Sequence, residues 1–369
     1  MEQERVRERE PQPGADKYEE TLRERAAWVE RSMTGQVLIR SQDRQFERNR
    51  QGHIKHYLNP QYDFNTALDE WIVFQHDIKR QSGKHRHQGG LVIFVLEGEG
   101  TTDVNGFRLD WQPGDLLLLP VQPNGVTHQH FNRDPEIGCR WQAFIYKPFS
   151  AYLMDQIVQV EDLAADQTGG VAAAALRRLG DASGRVGTGI RDLGNYQPLH
   201  LTSPEQLAGV DLMEELYRLR DHQRYLREQS SWLIRGADLP WQTTAQGVIR
   251  WYLHPALDYA CLKTLLFYVQ QIPGGSRSGR QRHGGNAVFH VLQGRGHTVL
   301  DGVTYSWQAD DMITLPNRPN GVVYQHFNDD PEQPAVLAAC EPNLSHTIDV
   351  DRGAGFEQLE VCPEYRATR

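Results

Sequence analysis

Long apolar runs are missing from this chain. No stretch approaches the roughly eighteen consecutive apolar residues that a membrane-spanning helix needs, so no membrane partner is expected. The start, MEQERVREREPQPGADKYEE, lacks the apolar core of an export signal, which makes the cytoplasm the expected compartment. Cysteine is scarce too. Cys139, Cys261, Cys340 and Cys362 lie far apart and form no CxxC pair, which argues against a thiolate zinc site and a disulfide framework. They are expected to be small buried residues. An excess of positive charge is also lacking: the formal net charge is -9 and the Arg and Lys are interleaved with acids, which excludes nucleic acid as the expected partner.

What the chain does have is length and repetition. Its 369 residues suffice for two domains, and 39% hydrophobic with 24% charged residues is a globular composition. QGHIKHYLNP (51–60) returns as QGVIRWYLHP (246–255), an offset of 195. HRHQGGLVIFVLEGEG returns as QRHGGNAVFHVLQGRG, VNGFRLDWQPGDLLLLP as LDGVTYSWQADDMITLP, and PNGVTHQHFNRDPE as PNGVVYQHFNDDPE, all at an offset of 196. So long a match with one slipped residue indicates a duplicated domain rather than an array of short repeats.

Each copy reads as strands. LVIFVLEGEG is a β-run stopped by glycines, VNG is a hairpin signal, PGDLLLLP is a short buried strand and GCRWQAFIY is another. The spacing suits an antiparallel sandwich or barrel. Outside the copies, 16–32 (DKYEETLRERAAWVERS) and 204–228 (PEQLAGVDLMEELYRLRDHQRYLRE) read as amphipathic helices, the second with Pro204 near its start. The segment at roughly 150–235 is therefore expected to be mainly helical, with loops around QTGGVAAAALRRLGDASGRVG. The expected division is an N-terminal helical arm (1–48), a first barrel (49–150), a helical inter-barrel segment (151–240), a second barrel (241–345) and a tail (346–369).

Histidines carry the chemistry. Residues two apart on a strand share a face, so His85 and His87 project together, as two metal ligands would. A third ligand is expected from a neighbouring strand, where His128 and His130 again share a face. Imidazole suits Fe, Zn, Cu, Ni or Mn, so ligand type alone leaves the metal open. An isolated HxH is often a surface or hydrogen-bonded core pair; here it precedes a buried apolar run and a second HxH follows in a matched turn and strand.

These motifs resemble the cupin superfamily, and both halves do, which identifies a bicupin and implies a mainly β fold of two double-stranded β-helix (jelly-roll) barrels. Pro123, Gly125, His128 and Asn132 match the family's second motif; His85, His87 and Gly98 match the first, but Leu91 stands where a glutamate is expected. A three-histidine set without the glutamate is similar to the gentisate, salicylate and 1-hydroxy-2-naphthoate dioxygenases. That resemblance implies His85, His87 and His128 as ligands of one Fe(II) per chain in the first barrel, O2 as co-substrate, a small aromatic carboxylate as substrate, and a homotetramer or homodimer. His130 would contact substrate or support a ligand. Arg140, Gln142, His76 and Gln75 are candidate partners for the substrate carboxylate, and Trp141 is assigned to the core.

In the second barrel the ligand positions read Gln281, His283 and Tyr324, a set expected to keep structure without chemistry. Ala143 and Tyr146 occupy positions where the gentisate group has acids, which points to a less polar ring, such as a salicylate, an anthranilate or a nitro-substituted relative. The expected reaction inserts both oxygen atoms and opens the ring between the carboxyl-bearing carbon and its hydroxyl- or amino-bearing neighbour. Two alternatives stay open: another metal-dependent activity, such as 1,3-diketone cleavage or isomerisation, and a ligand-binding bicupin without catalysis.

Overall fold

The computed structural model describes residues 16–62, 64–134, 136–188 and 194–367. Two barrels are built from four sheets, antiparallel throughout except where Gly180–Asp181 pairs in parallel with Phe107–Trp111. In the first barrel, a large sheet containing His53–Leu58, Trp71–Ile78, Cys139–Tyr146, Val92–Glu97 and Leu116–Leu118 faces a small one containing Lys84–His87, Val126–Asn132, Gly100–Val104 and Phe107–Trp111. The second barrel repeats this plan: its large sheet runs from Val248–Leu253 through Leu265–Ile272, Ala335–Pro342 and Ala287–Gln293 to Met312–Leu315, and its small sheet holds Arg280–His283 beside Val322–Asn328.

The expected hairpins form. Asn105 and Gly106 both take positive φ (53° and 86°), as do Asp301 and Gly302 (48° and 84°), the backbone that a two-residue turn needs to follow the twist of its strands.

The large sheets are buried on both faces, which explains why their strands read as continuous apolar runs. One face lines its own barrel; the other packs against the partner barrel. Phe94 and Phe144 from the first meet Phe267 from the second at ring-centroid distances of 5.4 and 5.5 Å, and Tyr252 stands 5.9 Å from Phe94. Truncating a buried ring such as Phe267 to Ala would cost about 3–5 kcal/mol. The small sheets present their outer faces to solvent, so Phe107–Trp111 and Val303–Gln308 alternate in burial.

The repeat also reaches further than the matched motifs. An 18-residue helix, Lys17–Thr34, is capped by the Asp16 carboxylate; another of 18 residues, Leu212–Gln229, is capped by Asp211, an offset of 195 again. After each helix comes a two-residue strand, Leu38–Ile39 or Leu233–Ile234, that joins the opposite barrel. Leu38 pairs with Ile313 of the second barrel, and Leu233 pairs with Leu117 of the first. A final strand, Val158–Glu161 or Glu357–Glu360, closes the edge of each small sheet. Pro204 opens a short 3-10 turn (Pro204–Leu207) rather than the helix itself, which starts eight residues later at Leu212. Between Leu153 and Asp211 the described chain holds 3-10 turns and short strands, so the helical content expected across this segment is concentrated in Leu212–Gln229.

Among the described residues no helix is long and apolar enough to cross a membrane. All four cysteines are buried and free.

Candidate metal centre

His85 and His128 sit directly opposite each other on adjacent strands of the small sheet, and His87 is opposite Val126. Strand alternation turns all three imidazoles to the barrel interior. One nitrogen from each lies within 4.8 Å of the others. Ring centroids are 4.2 Å apart for His85 and His128, 4.6 Å for His87 and His128, and 5.3 Å for His85 and His87.

Hydrogen bonds set the tautomers of two of these rings. His87 Nδ1 is 2.7 Å from the Gln88 carbonyl and His128 Nδ1 is 3.2 Å from that of Val126, so each Nδ1 carries the proton and each Nε2 keeps a lone pair. His85 Nδ1 is buried without a hydrogen-bond partner among the described residues. Burial first, and then its neighbour His87, push the His85 pKa down to about 3; burial and the surrounding imidazoles hold His128 well below the ordinary value, and burial lowers His87. Three neutral imidazoles with converging lone pairs fit a divalent transition metal. Leu91 is buried in the apolar core, so no carboxylate comes from that position.

His130 shares this interior and has a defined orientation. Trp111 Nε1–H donates to Thr102 Oγ1 at 2.9 Å, and Thr102 Oγ1 lies 2.8 Å from His130 Nδ1. The threonine proton then finds its acceptor on Nδ1, which places the imidazole proton on Nε2. That Nε2 is buried and has no hydrogen-bond partner among the described residues. Trp307, Thr298 and His326 repeat the chain in the second barrel at 3.0 and 2.7 Å, again with an unpartnered Nε2.

Sequence reasoning separates the remaining candidates less well. His76 lies inside: its ring is 4.9 Å from Trp141 and 6.4 Å from His130, and burial, followed by the His85 imidazole, pushes its pKa down to about 3. Trp141, assigned to the core, packs with its ring tilted 55° at 4.7 Å from His130, and its buried indole N–H has no acceptor among the described residues. It is both core and wall of the site. The pairing of Trp141 with His76 on the neighbouring strand, once the register is known, puts the two on one face.

Arg140, Gln142 and Gln75 are placed elsewhere, which corrects the expectation that they meet substrate. Strand alternation turns them to the opposite face of the large sheet, toward the second barrel. Arg140 forms an ion pair with Glu97, donates to Gln75 Oε1 at 3.1 Å and lies 3.6 Å from Asp310. Gln75 donates to Asp310 Oδ1 at 2.6 Å and contacts Gln142 at 3.4 Å. Asp310 also takes Lys55 at 2.9 Å, Ser41 at 2.7 Å and His290 at 3.2 Å. Burial alone would raise its pKa, but His290, Lys55 and Ser41 outweigh that and hold it far below the carboxylate range. Tyr146 also faces the second barrel, accepting from Asn286 at 3.2 Å, whereas Ala143 faces the interior.

In the second barrel the corresponding positions do not converge on a metal. Gly285 N–H donates to His283 Nδ1 at 3.0 Å, while His283 Nε2 lies 3.2 Å from Glu341 Oε2. Both ring nitrogens are occupied, so His283 has no lone pair to offer. Tyr324 donates to Gln281 Oε1 at 3.0 Å.

Comparison with known proteins agrees with the duplicated plan. A cupin domain model matches residues 76–146 and again 267–340. Gentisate 1,2-dioxygenase 1 of Aquipseudomonas alcaligenes is 23% identical over 63% of this chain and 59% of its own, and 1-hydroxy-2-naphthoate 1,2-dioxygenase of Nocardioides sp. is 23% identical over 69% and 57%. The chain thus spans less than two thirds of the length of either relative. An oxalate decarboxylase from Lactobacillus farciminis shares the fold with a TM-score of 0.52 at 13% identity, covering 91% of each chain. Two cupin-domain matches, one in each of two barrels of one plan, give the chain a bicupin-like two-domain architecture.

Proposed function

We propose that the protein is an Fe(II)-dependent dioxygenase that opens the ring of a 2-hydroxy- or 2-aminobenzoate between the carboxyl-bearing carbon and its hydroxyl- or amino-bearing neighbour. The observation that carries this reading is the convergence of His85, His87 and His128 as three neutral imidazoles with no carboxylate among them. Both dioxygenase relatives act, by their names, on aromatic hydroxycarboxylates, which supports the substrate class. Iron held by His85, His87 and His128 would supply open positions for substrate and O2 side by side, and a path for electrons between them.

The chain's own residues bind and orient. His130 Nε2–H, aimed by Thr102, donates to an anionic oxygen of the substrate. Trp141 Nε1–H is the second donor for the carboxylate. Both are neutral, so they hold an anion without bringing a counter-charge that would compete with the metal. His76 stays neutral and fills the wall behind Trp141. Phe74, Ala143, Ile93 and Val95 make much of the remaining interior apolar, His56 beside Phe74 being the polar exception, and Ala143 itself offers a 5-hydroxyl no partner. A salicylate or anthranilate, carrying at most an apolar or nitro substituent there, fits better than gentisate.

The test is O2 uptake by protein loaded anaerobically with Fe(II), across gentisate, salicylate, anthranilate and their nitro- and chloro-derivatives, with the ultraviolet band followed in parallel. Stoichiometric uptake with loss of the aromatic band for one member is the expected result. Bound iron with no uptake for any of them would redirect the assignment to a different three-histidine chemistry.

A further inference from the structure

The second barrel is not filled in. A cavity of about 440 Å³ opens in it, walled by Ile249, Trp251, Leu266 and Phe356 and floored by His283 and Glu341. That volume lies within the range of small-molecule sites, about 300–1,000 Å³. A barrel kept only as scaffold would be expected to replace lost metal ligands with apolar side chains that close the hole. This one does the opposite. Glu341 occupies the interior position that Ile145 holds in the first barrel, as the matching registers of the two closing strands show.

The hydrogen bonds on the floor determine what it can receive. Arg352 Nη2 donates to Glu341 Oε2 at 2.8 Å and Arg352 Nη1 donates to the Gly285 carbonyl at 2.7 Å. His283 Nε2 also approaches Oε2, so among the described residues every protein contact to this carboxylate falls on one oxygen. Oε1 is left as an acceptor without a donor. One guanidinium balances the carboxylate, and a further anion would meet it without a counter-charge.

We propose that the second barrel is a separate binding site for a neutral, flat aromatic molecule bearing a hydroxyl or amino donor, seated against Trp251 and Phe356 with its donor on Glu341. It is selective in the opposite sense to the first barrel. There, neutral donors and a cation favour an anion; here, a partly buried carboxylate on the cavity floor rejects one and takes a donor.

The experiment compares 2-naphthol with 2-naphthoate, two probes of nearly equal shape and different charge, by calorimetry and saturation-transfer NMR on the full-length protein. Leu344→Trp narrows the cavity from a residue outside the strands, and Glu341→Gln removes the charge while keeping the shape. Expected are binding of 2-naphthol that is lost in Leu344→Trp, unchanged in His85→Ala, and at least tenfold tighter than any Leu344→Trp-sensitive binding of 2-naphthoate. Glu341→Gln should narrow that preference. If Glu341→Gln fails to fold, the Leu344→Trp comparison still decides. No binding of 2-naphthol, binding that survives Leu344→Trp or vanishes in His85→Ala, or equal binding of 2-naphthoate through this cavity would each overturn the proposal.

Discussion

Thr102 Oγ1 and His130 Nδ1 meet at 2.8 Å inside the first barrel, and with the donor-only Trp111 indole on the same oxygen, Nδ1 is the one acceptor the threonine proton has among the described residues. Thr102 is thus a positioning residue for the His130 donor. Thr102→Val keeps the shape and removes the bond. It should lower kcat/KM by about ten- to thirtyfold, the worth of one buried hydrogen bond of about 1.4–2 kcal/mol, with iron content unchanged. Thr102→Ser should restore most of the loss. Loss of iron in Thr102→Val, or no rescue by serine, would show a structural role instead.

The metal set can be separated from its degenerate copy by stoichiometry. His128→Ala should abolish iron binding and turnover, whereas Tyr324→Phe should bind one Fe(II) per chain and turn over nearly as the unmodified protein does. Anaerobic Fe(II) titration with elemental analysis reads this directly. A lethal Tyr324→Phe would place the essential chemistry in the wrong barrel.

Trp141 offers its unpartnered N–H to the substrate carboxylate. Trp141→Phe retains most of the ring contact with His130 and removes only the donor, so KM should rise about tenfold, equivalent to about 1.4 kcal/mol, with a smaller effect on kcat. Steady-state kinetics on the accepted substrate would show it; an unchanged KM would return Trp141 to a packing role.

Asp310 ties the barrels together. Its φ of 73° is a backbone that favours glycine, and Gly114 with φ 85° holds the matching place in the first copy. The strain is offset by the ion pair with Lys55, whose side chain is 6% exposed. Asp310→Asn should destabilise the protein by about 2–3 kcal/mol at pH 7, because it leaves a buried ammonium unpaired. The folded carboxyl has a depressed pKa, so its contribution is full above the unfolded value near 4 and declines as pH falls toward the folded one. Denaturant melts at pH 7 and pH 3 should therefore show the difference between the two proteins shrinking in acid, by up to about 1.4 kcal/mol per pH unit below 4.

The strands and the three-histidine cluster are legible because both depend on alternation, which the sequence displays directly. His85, His87 and His128 can be placed on one face from spacing and the expected pairing of their strands. The substrate side cannot, since Arg140 and Trp141 are adjacent in sequence and face opposite ways. Which of the two points inward depends on the sheet's packing on both faces, and a strand apolar on both faces shows no period to read. The duplication of the helices is hidden for a different reason. They are solvent-facing, with no buried residue in Leu212–Gln229, so little in the pattern ties their residues to a particular copy. LIRSQD and LIRGAD, at 38–43 and 233–238, are the surviving signal.

The exchanged strands also set an order of events during synthesis. Leu38 and Ile39 leave the ribosome long before Met312 and Ile313, the residues they pair with, are made. The first barrel, meanwhile, keeps a bare edge at Leu116 and Leu117 until Leu233 and Ile234 arrive. A bare edge is an invitation to pair with a stranger. Neither half can therefore be released as a finished product, and a gene that loses the second copy also strands the first. Whatever the second cavity receives, the barrel that has the three histidines is incomplete without the one that lacks them.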